Sequence, residues 1–561
     1  MASEPVLPAR LRRSQHLSWF THLGAVYLFH DLYGYLMEMS SDIADMIQSF
    51  DTGVDTAETI EYYRGRLGDA DPRQFVDVLA AHAVLVDPSE DEIEGLWAFV
   101  PIKAKWNVWQ RRDDRLTLWT AWGERPVSQL FLDPEETKLW DAFDGTKRLI
   151  EMRHHHDNAK LIALVRRLVH SDVQALKLSM MPAAVYAKRP AMAPAYLTST
   201  MPYARWTPGT PVPAAPMLSA GAGDAGAGTA AEPDQHETTL SHLLRVPHPA
   251  LRGRTYGEAL ADVLLARGAV PEGRVRVLEI GPGQGYVARD VIARLGAAGR
   301  EVAYTIVEVS PTLAAAQRER LGDTATWIEG DVLGEGVRAR LVDGLYDLVI
   351  ANEVVGDLPA QQVTRADLGL GPEDGTVDRA KLRALGPGAA LAADLGVSLD
   401  DATEPAYLQT GAWQLMAQIA RWLAPGGTAV VTDFGDAAGW PKLVTNLDVP
   451  ELSTHFGQLL QLARGAGLVG DVQFVIDLLD FDRAQQGLAT TRSHFRALRA
   501  LAADAGVELA KIGYTPELLA AAVGDKLDLG AIGELRWDKI EDRLMGIVPH
   551  ELRALVVSRT A

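Results

Sequence analysis

VRVLEIGPGQGYV, residues 275–287, decides how the larger half of this chain folds. Residues 275–280 form an apolar run of strand length ending on Glu279 and Ile280, and Gly281, Gly283 and Gly285 follow at alternate positions. Glycines there allow backbone conformations and close approaches that a Cβ would block. A dinucleotide fingerprint needs G-x-G-x-x-G, but here the third glycine comes one residue early and Tyr286 takes its place. Glu279, just inside the strand end, is ill suited to cradling a pyrophosphate and well suited to a cationic ligand.

Outward from this turn, strand and helix patterns alternate from about residue 238, which predicts a parallel sheet with helices on both faces. The first strand is 275–280, followed by a helix over 287–295; the second is 303–308, apolar and ending in acid, followed by a helix over 311–321. A third strand spans 326–328 and a fourth 346–351. A helix over 413–423, the turn Pro425-Gly426-Gly427 and a fifth strand at 428–433 follow. Such sheets bind ligands beyond the strand ends. Glu308 ends the second strand, where a carboxylate can accept two ribose hydroxyls, and Asp331 is placed to accept from an adenine amino group. Val332 offers a ring contact, while Val309, Gly330 and Asn352 complete the expected cofactor set. Tyr256 opens a helix ahead of the first strand, from which an aromatic can close over the ligand. The spacing favours S-adenosylmethionine (SAM) over NAD.

At this point the sequence resembles the MidA-like methyltransferases, the family of the mitochondrial complex I assembly methyltransferase. The matching residues are LEIGPGQGYV, then IVEVSPTLAAAQRERL with Glu308, Ser310, Pro311 and Gln317, then ANEVVGDLPAQQV with Asn352, Glu353, Asp357, Leu358 and Pro359. TDFG at 432–435 and LMGIVPHELRALVVS at 544–558 also fit. The resemblance runs over about residues 250–561 and implies SAM as cofactor, a Rossmann-like class I methyltransferase sheet and arginine as acceptor. The chain departs from the family after Asn352-Glu353, where two aromatics and Asp-Ala-Leu-Pro are usual and Val354, Val355 and Gly356 stand before Asp357. TTLSHLLRVPHPALRGRTYGEAL, 238–260, also replaces the family's N-terminal segment, so the family's substrate does not carry over.

Methyl transfer is an in-line displacement in which the protein mainly positions the partners, worth up to ~7–11 kcal/mol of barrier. An arginine acceptor keeps its charge and needs carboxylates to hold it, for which Glu353 and Asp357 are the candidates. An imidazole or amine acceptor needs a base, and His455 or Asp433 could serve. A carboxylate acceptor needs cations instead, and Arg245, His248, Arg252 and Arg254 precede the core. His242, His248 and His455 read more readily as structural than as catalytic. No metal site is expected, since His154, His155 and His156 are adjacent and do not converge on one ion. Residues 364–405 interrupt the fold as an inserted lid, and 441–482 are expected to form another wall.

The N-terminal part repeats one small plan. Strand patterns at 17–23, 25–31 and 34–39 precede helices at 41–50, 56–67 and 72–83; strands at 105–110, 116–121 and 126–132 precede helices at 134–143, 147–152 and 158–173. Three strands and three helices, twice, make a tandem winged-helix-like α+β arrangement. AVYLFHDLYGYLMEMSSDIADMIQSFDTG and PVSQLFLDPEETKLWDAFDG in this region resemble the PqqD-like peptide-recognition domain of ribosomally made, post-translationally modified peptide pathways. The resemblance implies a leader peptide added as a strand at a sheet edge, with main-chain hydrogen bonds giving affinity. A dimerisation or covering role is the plainer alternative.

The expected organisation is multidomain α/β: residues 1–95 and 96–189 as the two small domains, 190–237 as a Pro/Gly/Ala-rich linker, and 238–561 as the methyltransferase domain. With 561 residues, more than one core is expected. The formal charge of −20 disfavours nucleic acid. The chain has no cysteine, which excludes disulfides, thiolate nucleophiles and thiolate-bound metals. No apolar run reaches membrane-spanning length, and a cytoplasmic location is expected. The leading expectation is methylation of a leader-bearing precursor peptide, at arginine first, with histidine or a carboxylate as alternatives. The other reading is a MidA-like arginine methyltransferase acting on a folded protein.

Overall fold

Asp55, Asp71, Asp133 and Asp157 each accept a hydrogen bond from a backbone amide two or three residues on, which fixes where helices of the N-terminal part begin. Asp133 and Glu136 complete a reciprocal capping box. The structure, a computed structural model, describes residues 7–188 and 239–560 apart from 23–24, 31, 33–34, 69, 90, 123–125, 171, 180–181, 372–374, 447–448, 489, 491–492 and 541–551. The expected linker at 190–237 lies outside the described residues, as does part of the 544–558 motif. Two units emerge, one holding 1–215 with 492–509 and 523–535, the other the remainder.

In the first unit, strands β1 (Leu17–His22), β2 (Ala25–His30) and β3 (Tyr35–Met39) form an antiparallel meander, followed by helices α1 (Ser41–Gln48), α2 (Thr56–Tyr63) and α3 (Pro72–Ala81). The plan recurs as β4 (Asn107–Arg112), β5 (Arg115–Thr120) and β6 (Ser128–Leu132), then α4 (Pro134–Ala142), α5 (Leu149–Met152) and α6 (Asn158–Val169). Each copy has its own core. Leu28, Met46, Ile47, Phe50, Val76 and Leu79 fill the first, and Leu118, Leu132, Trp140, Leu164, Val165 and Leu168 the second. Each fully buried aliphatic side chain contributes ~1.5–3 kcal/mol.

Both copies are also closed by short antiparallel pairs absent from the sequence reading: Arg10–Arg13 against Leu85–Val86, and Val100–Lys103 against Leu176–Ser179. Two late segments complete the second copy. Ile532–Gly533 pairs with Gln110 and Trp109 on the outer edge of β4. Helix Ser493–Asp504 packs on β4 and β5, where Asp504 accepts from the Trp119 indole at 3.2 Å.

In the second unit, helix α7 (Tyr256–Ala266) precedes strand β7 (Arg274–Ile280) and helix α8 (Tyr286–Ala297). Strand β8 (Glu301–Glu308), helix α9 (Pro311–Leu321), and strands β9 (Ala325–Glu329) and β10 (Tyr346–Asn352) follow. Helix α10 (Thr410–Trp422), strand β11 (Leu423–Asp436), helix α11 (Phe456–Gly465), and strands β12 (Leu468–Phe474) and β13 (Leu552–Arg559) complete the sheet and its cover. The strand order is β9-β8-β7-β10-β11-β13-β12. The pairs from β9 through β11 are parallel, and β13 runs antiparallel to both its neighbours. The order reverses between β7 and β10, which opens a crevice at their carboxyl ends.

Three details depart from the sequence reading. Pro425-Gly426-Gly427 lies within β11 as an irregularity, since Tyr346 pairs Leu423 and then Leu348 pairs Thr428. Much of 441–482 supplies α11 and the edge strand β12. The 364–405 insert is a packed layer closed by a hairpin of Gln361–Val363 with Ala406–Leu408. Its Leu368, Leu382, Ala389 and Leu399 share one core with Trp413 and Ile419 of α10.

Candidate active site

The site grows from the strand ends. Gly281, Gly283 and Gly285 take φ of 58°, 56° and 79°, left-handed values that favour glycine. A Cβ on Gly281 would also lie 2.8 Å from Val354 Cγ2. The turn thus exposes backbone and delivers the chain into α8.

Glu308 is buried at the end of β8, its Oε1 accepting from the Ser310 amide at 2.8 Å and its Oε2 from the Gln317 amide at 2.8 Å. Burial pushes this carboxyl up, and those two donors pull it back toward the ionised form. Each oxygen keeps a lone pair for a further donor. The Gly330 amide donates to the Glu308 carbonyl at 2.8 Å, which carries the chain round to Asp331. Asp331 is exposed and caps the Leu333 amide at 2.9 Å; Val309 is 53% exposed at the rim, and Val332 is buried in the core beneath. A turn with glycine at three alternate positions, a carboxylate open to two hydroxyls, an exposed acid and an exposed apolar residue suit an adenosyl ligand.

Glu279 stands just inside the carboxyl end of β7. It is fully buried, its Oε2 accepts from the Tyr304 hydroxyl at 2.8 Å, and among the described residues its Oε1 finds no hydrogen-bond partner. Burial pushes its pKa up to about 8. Burial thus favours the protonated form of this carboxyl, against the Tyr304 hydrogen bond that favours the charged one.

Asn352 is the hub of the fourth strand's end. Its Oδ1 accepts from Tyr256 Oη at 2.8 Å and Thr432 Oγ1 at 2.7 Å, and its Nδ2 donates to Ser241 Oγ at 3.0 Å. Tyr256 is buried and acts as an anchor under the site. Glu353 follows with φ 53°, an uncommon conformation for a side chain of its size. Its carboxylate accepts from the Leu240 amide at 3.1 Å and the Ser241 amide at 3.3 Å. Asp357 is exposed. Between them, Gly356 donates to Asp433 Oδ2 at 2.8 Å, and Phe434 donates to Asp433 Oδ1 at 2.7 Å. Burial raises Asp433 to about 7, with Asp357 adding to the rise. Sequence reasoning named Asp433 only as a base; its hold on the 354–357 loop needed the coordinates.

His455 lies beside the end of β11, paired with Asp436, and caps α11 by accepting from the Gln458 amide at 3.4 Å through Nδ1. That nitrogen is committed to the helix, and burial lowers the pKa of the ring. The cations offered for a carboxylate acceptor are engaged elsewhere. Arg252 pairs Asp480 at 2.9 Å, Arg254 pairs Asp262 at 3.2 Å, and Arg245 donates to the His242 and Lys511 carbonyls, each at 2.7 Å. His248 is buried, its Nδ1 accepts from the Ala250 amide at 3.1 Å, and burial lowers its pKa to about 4. Among the described residues no cluster of three His, Asp or Glu could hold a metal, and no helix is long and apolar enough to cross a membrane.

Residues 257–443, which hold this crevice, match a family described as "Putative S-adenosyl-L-methionine-dependent methyltransferase". This stretch, a third of the chain, is thus a SAM-dependent methyltransferase domain with SAM as its cofactor. Among curated proteins the chain is similar to the pyochelin synthetase PchF of Pseudomonas aeruginosa, 36% identical over 121 residues. That match covers 20% of this chain and 7% of the synthetase. Among solved structures it is similar to a COG1565 superfamily member of Burkholderia thailandensis, described as a "likely methyl transferase" and bound to S-adenosyl-homocysteine, 20% identical, with a TM-score of 0.32 over 58% of this chain and 79% of that one. A phosphoethanolamine N-methyltransferase 2 of Haemonchus contortus is 14% identical, with a TM-score of 0.27 over 54% of this chain and 52% of that one.

Proposed function

We propose that this enzyme N-methylates a side chain, arginine first, of a ribosomally synthesised precursor peptide in the cytoplasm, and that the N-terminal repeats capture the peptide's leader. The observation that carries the reading is the acidic mouth at the ends of β10 and β11. Glu353 is held there in a left-handed conformation by two amides, with exposed Asp357 beside it and Asp433 behind. Neighbouring arginines already bonded elsewhere leave the balance of charge in favour of a cationic acceptor. The strand order and its reversal between β7 and β10 support a Rossmann-like class I methyltransferase domain.

When bound, SAM supplies a methyl group whose sulfur leaves with the bonding pair as the acceptor nitrogen forms its new bond to carbon. The protein's part is to bind and align. Glu308 takes the ribose hydroxyls, Asp331 takes the adenine amino group, and Val309 and Val332 flank the ring. Glu353 and Asp357 hold the guanidinium, and a carboxylate at that mouth takes the proton that the methylated nitrogen releases.

Leader capture is supported by the repeated three-strand, three-helix plan. The outer edge of β4 is covered by Ile532–Gly533, whereas β6 pairs only with β5 among the described residues and carries Phe131 at 70% exposure. An extended peptide added at β6 fits β-augmentation. Tethering there would raise the core peptide's effective concentration at the site. The second reading is a MidA-like arginine methyltransferase acting on a folded protein, which Asn352, Glu353, Asp357, Leu358 and Pro359 favour and Val354, Val355 and Gly356 do not.

Intact-mass spectrometry of the full-length enzyme with SAM and candidate precursor peptides, each with and without its leader, tests this. Methyl additions that fall away when the leader is removed support capture, and fragmentation identifies the acceptor. Equal methylation with and without the leader would overturn it, as would modification confined to folded proteins.

A further inference from the structure

Gln317 lies on the buried face of α9 with Ala314 and Leu321, and its side chain has no solvent exposure. An uncharged amide in such a place needs hydrogen-bond partners. Its Nε2 donates to the Gly283 carbonyl at 2.7 Å and to Glu308 Oε2 at 2.8 Å, and its Oε1 accepts from Trp327 Nε1 at 3.1 Å. Both N–H bonds are thus used on two acceptors, and the carbonyl is used on a donor. The reverse amide orientation would set oxygen against a carbonyl and a carboxylate, so the network defines one rotamer. Those acceptors belong to the glycine turn and to the end of the second strand. These are the two walls of the cofactor crevice, and one side chain spans them.

We infer that Gln317 is a positioning residue for the cofactor: its single amide locks the glycine turn and the Glu308 carboxylate into one fixed arrangement. This rests on the assignment of Glu308 to the ribose hydroxyls. Apart from Gln317, Glu308 is held only by backbone amides of the next two residues, Val309 and Ser310, and no side-chain donor other than Gln317 is among its bonded partners. Without Gln317 the carboxylate is free to turn away from the hydroxyls. It also loses a bond that favours its charged form against burial.

The test is calorimetric binding of S-adenosylhomocysteine and its 2′-deoxy analogue to the full-length protein across pH. Wild type should prefer the ribose form. Gln317→Leu should bind it at least tenfold more weakly, lose most of the preference for the ribose form, and weaken further at a higher pH than wild type does on acidification. Turnover at saturating SAM should change much less than KM for SAM. A loss equal for both ligands, with an unmoved pH profile, would mark a merely structural role and overturn the inference.

Gln317→Glu keeps the shape and serves if the leucine variant does not fold. It should bind poorly at neutral pH, where two carboxylates face each other, and recover on acidification as the new carboxyl regains a donor; wild-type binding at neutral pH would overturn the proposal. Glu308→Ala separates the two claims. If it binds as wild type does, the ribose assignment fails; if it loses binding while Gln317→Leu does not, only the role of Gln317 fails.

Discussion

The Tyr256 hydroxyl donates to Asn352 Oδ1 at 2.8 Å, so the helix ahead of the first strand is pinned to the tip of the fourth. Burial raises the phenol's pKa, and it remains a donor across the working pH range. Tyr256→Phe should destabilise the fold by ~1 kcal/mol, because Asn352 Oδ1 keeps its bond from Thr432. Denaturant unfolding measures this, and a variant as stable as wild type would show that the bond contributes nothing net.

Glu279 titrates in a direction that stability measurements can read. Its folded-state pKa of about 8 lies above the ordinary 4.5, so the folded chain holds its proton more tightly than the unfolded chain. Its contribution is full below the unfolded value and is lost as the pH rises through about 8. Glu279→Gln imitates the protonated form and should flatten that slope, gaining on the order of a few kcal/mol at alkaline pH. Melts at pH 5 and pH 8.5 compare the two, and parallel slopes for both proteins would refute the assignment.

Asp433 holds the 354–357 loop, which in the proposed function presents Asp357 to the acceptor. Asparagine would turn an amide toward one of the two backbone donors, Gly356 and Phe434, that the carboxylate now accepts. Asp433→Asn should lower kcat about tenfold while the affinity for S-adenosylhomocysteine stays within about twofold, since the loss lies in alignment. A proportionate fall in cofactor affinity would place Asp433 elsewhere in the mechanism.

Gly281→Ala introduces two separate faults, a strained φ and a contact of 2.8 Å with Val354. Cofactor binding should be lost or fall at least tenfold. Adding Val354→Ala should relieve the contact and leave the backbone cost of ~1 kcal/mol, so partial recovery is the expected result. Full recovery would mean that the left-handed conformation is not required.

Local signals account for what the sequence made legible. Alternate glycines, acids at strand ends and aspartates ahead of helices each act within a few residues, and the turn at 281–285, Glu308 and the helices after Asp55, Asp133 and Asp157 follow from them. What stayed hidden depends on distant partners. Strand β13 enters between β11 and β12 from much further along the chain than either, and nothing in LRALVVSR states its neighbours. The raised pKa of Glu279 depends on complete burial inside the sheet's core, which a strand pattern does not reveal. Gln317 was legible as part of a motif, but its three partners come from three separate segments.

The strand Ile532–Gly533 fits β4 so closely that a Cβ on Gly533 would lie 2.1 Å from Trp109 Nε1. The sheet begun at Asn107 is therefore finished by residues made some four hundred positions later. During synthesis the second repeat emerges with that edge uncovered and stays so until residues 532 and 533 have left the ribosome. An uncovered strand edge is a template for pairing with other chains. A release that comes too early, before Gly533, would yield a polypeptide with both N-terminal repeats made but the second still open to self-association.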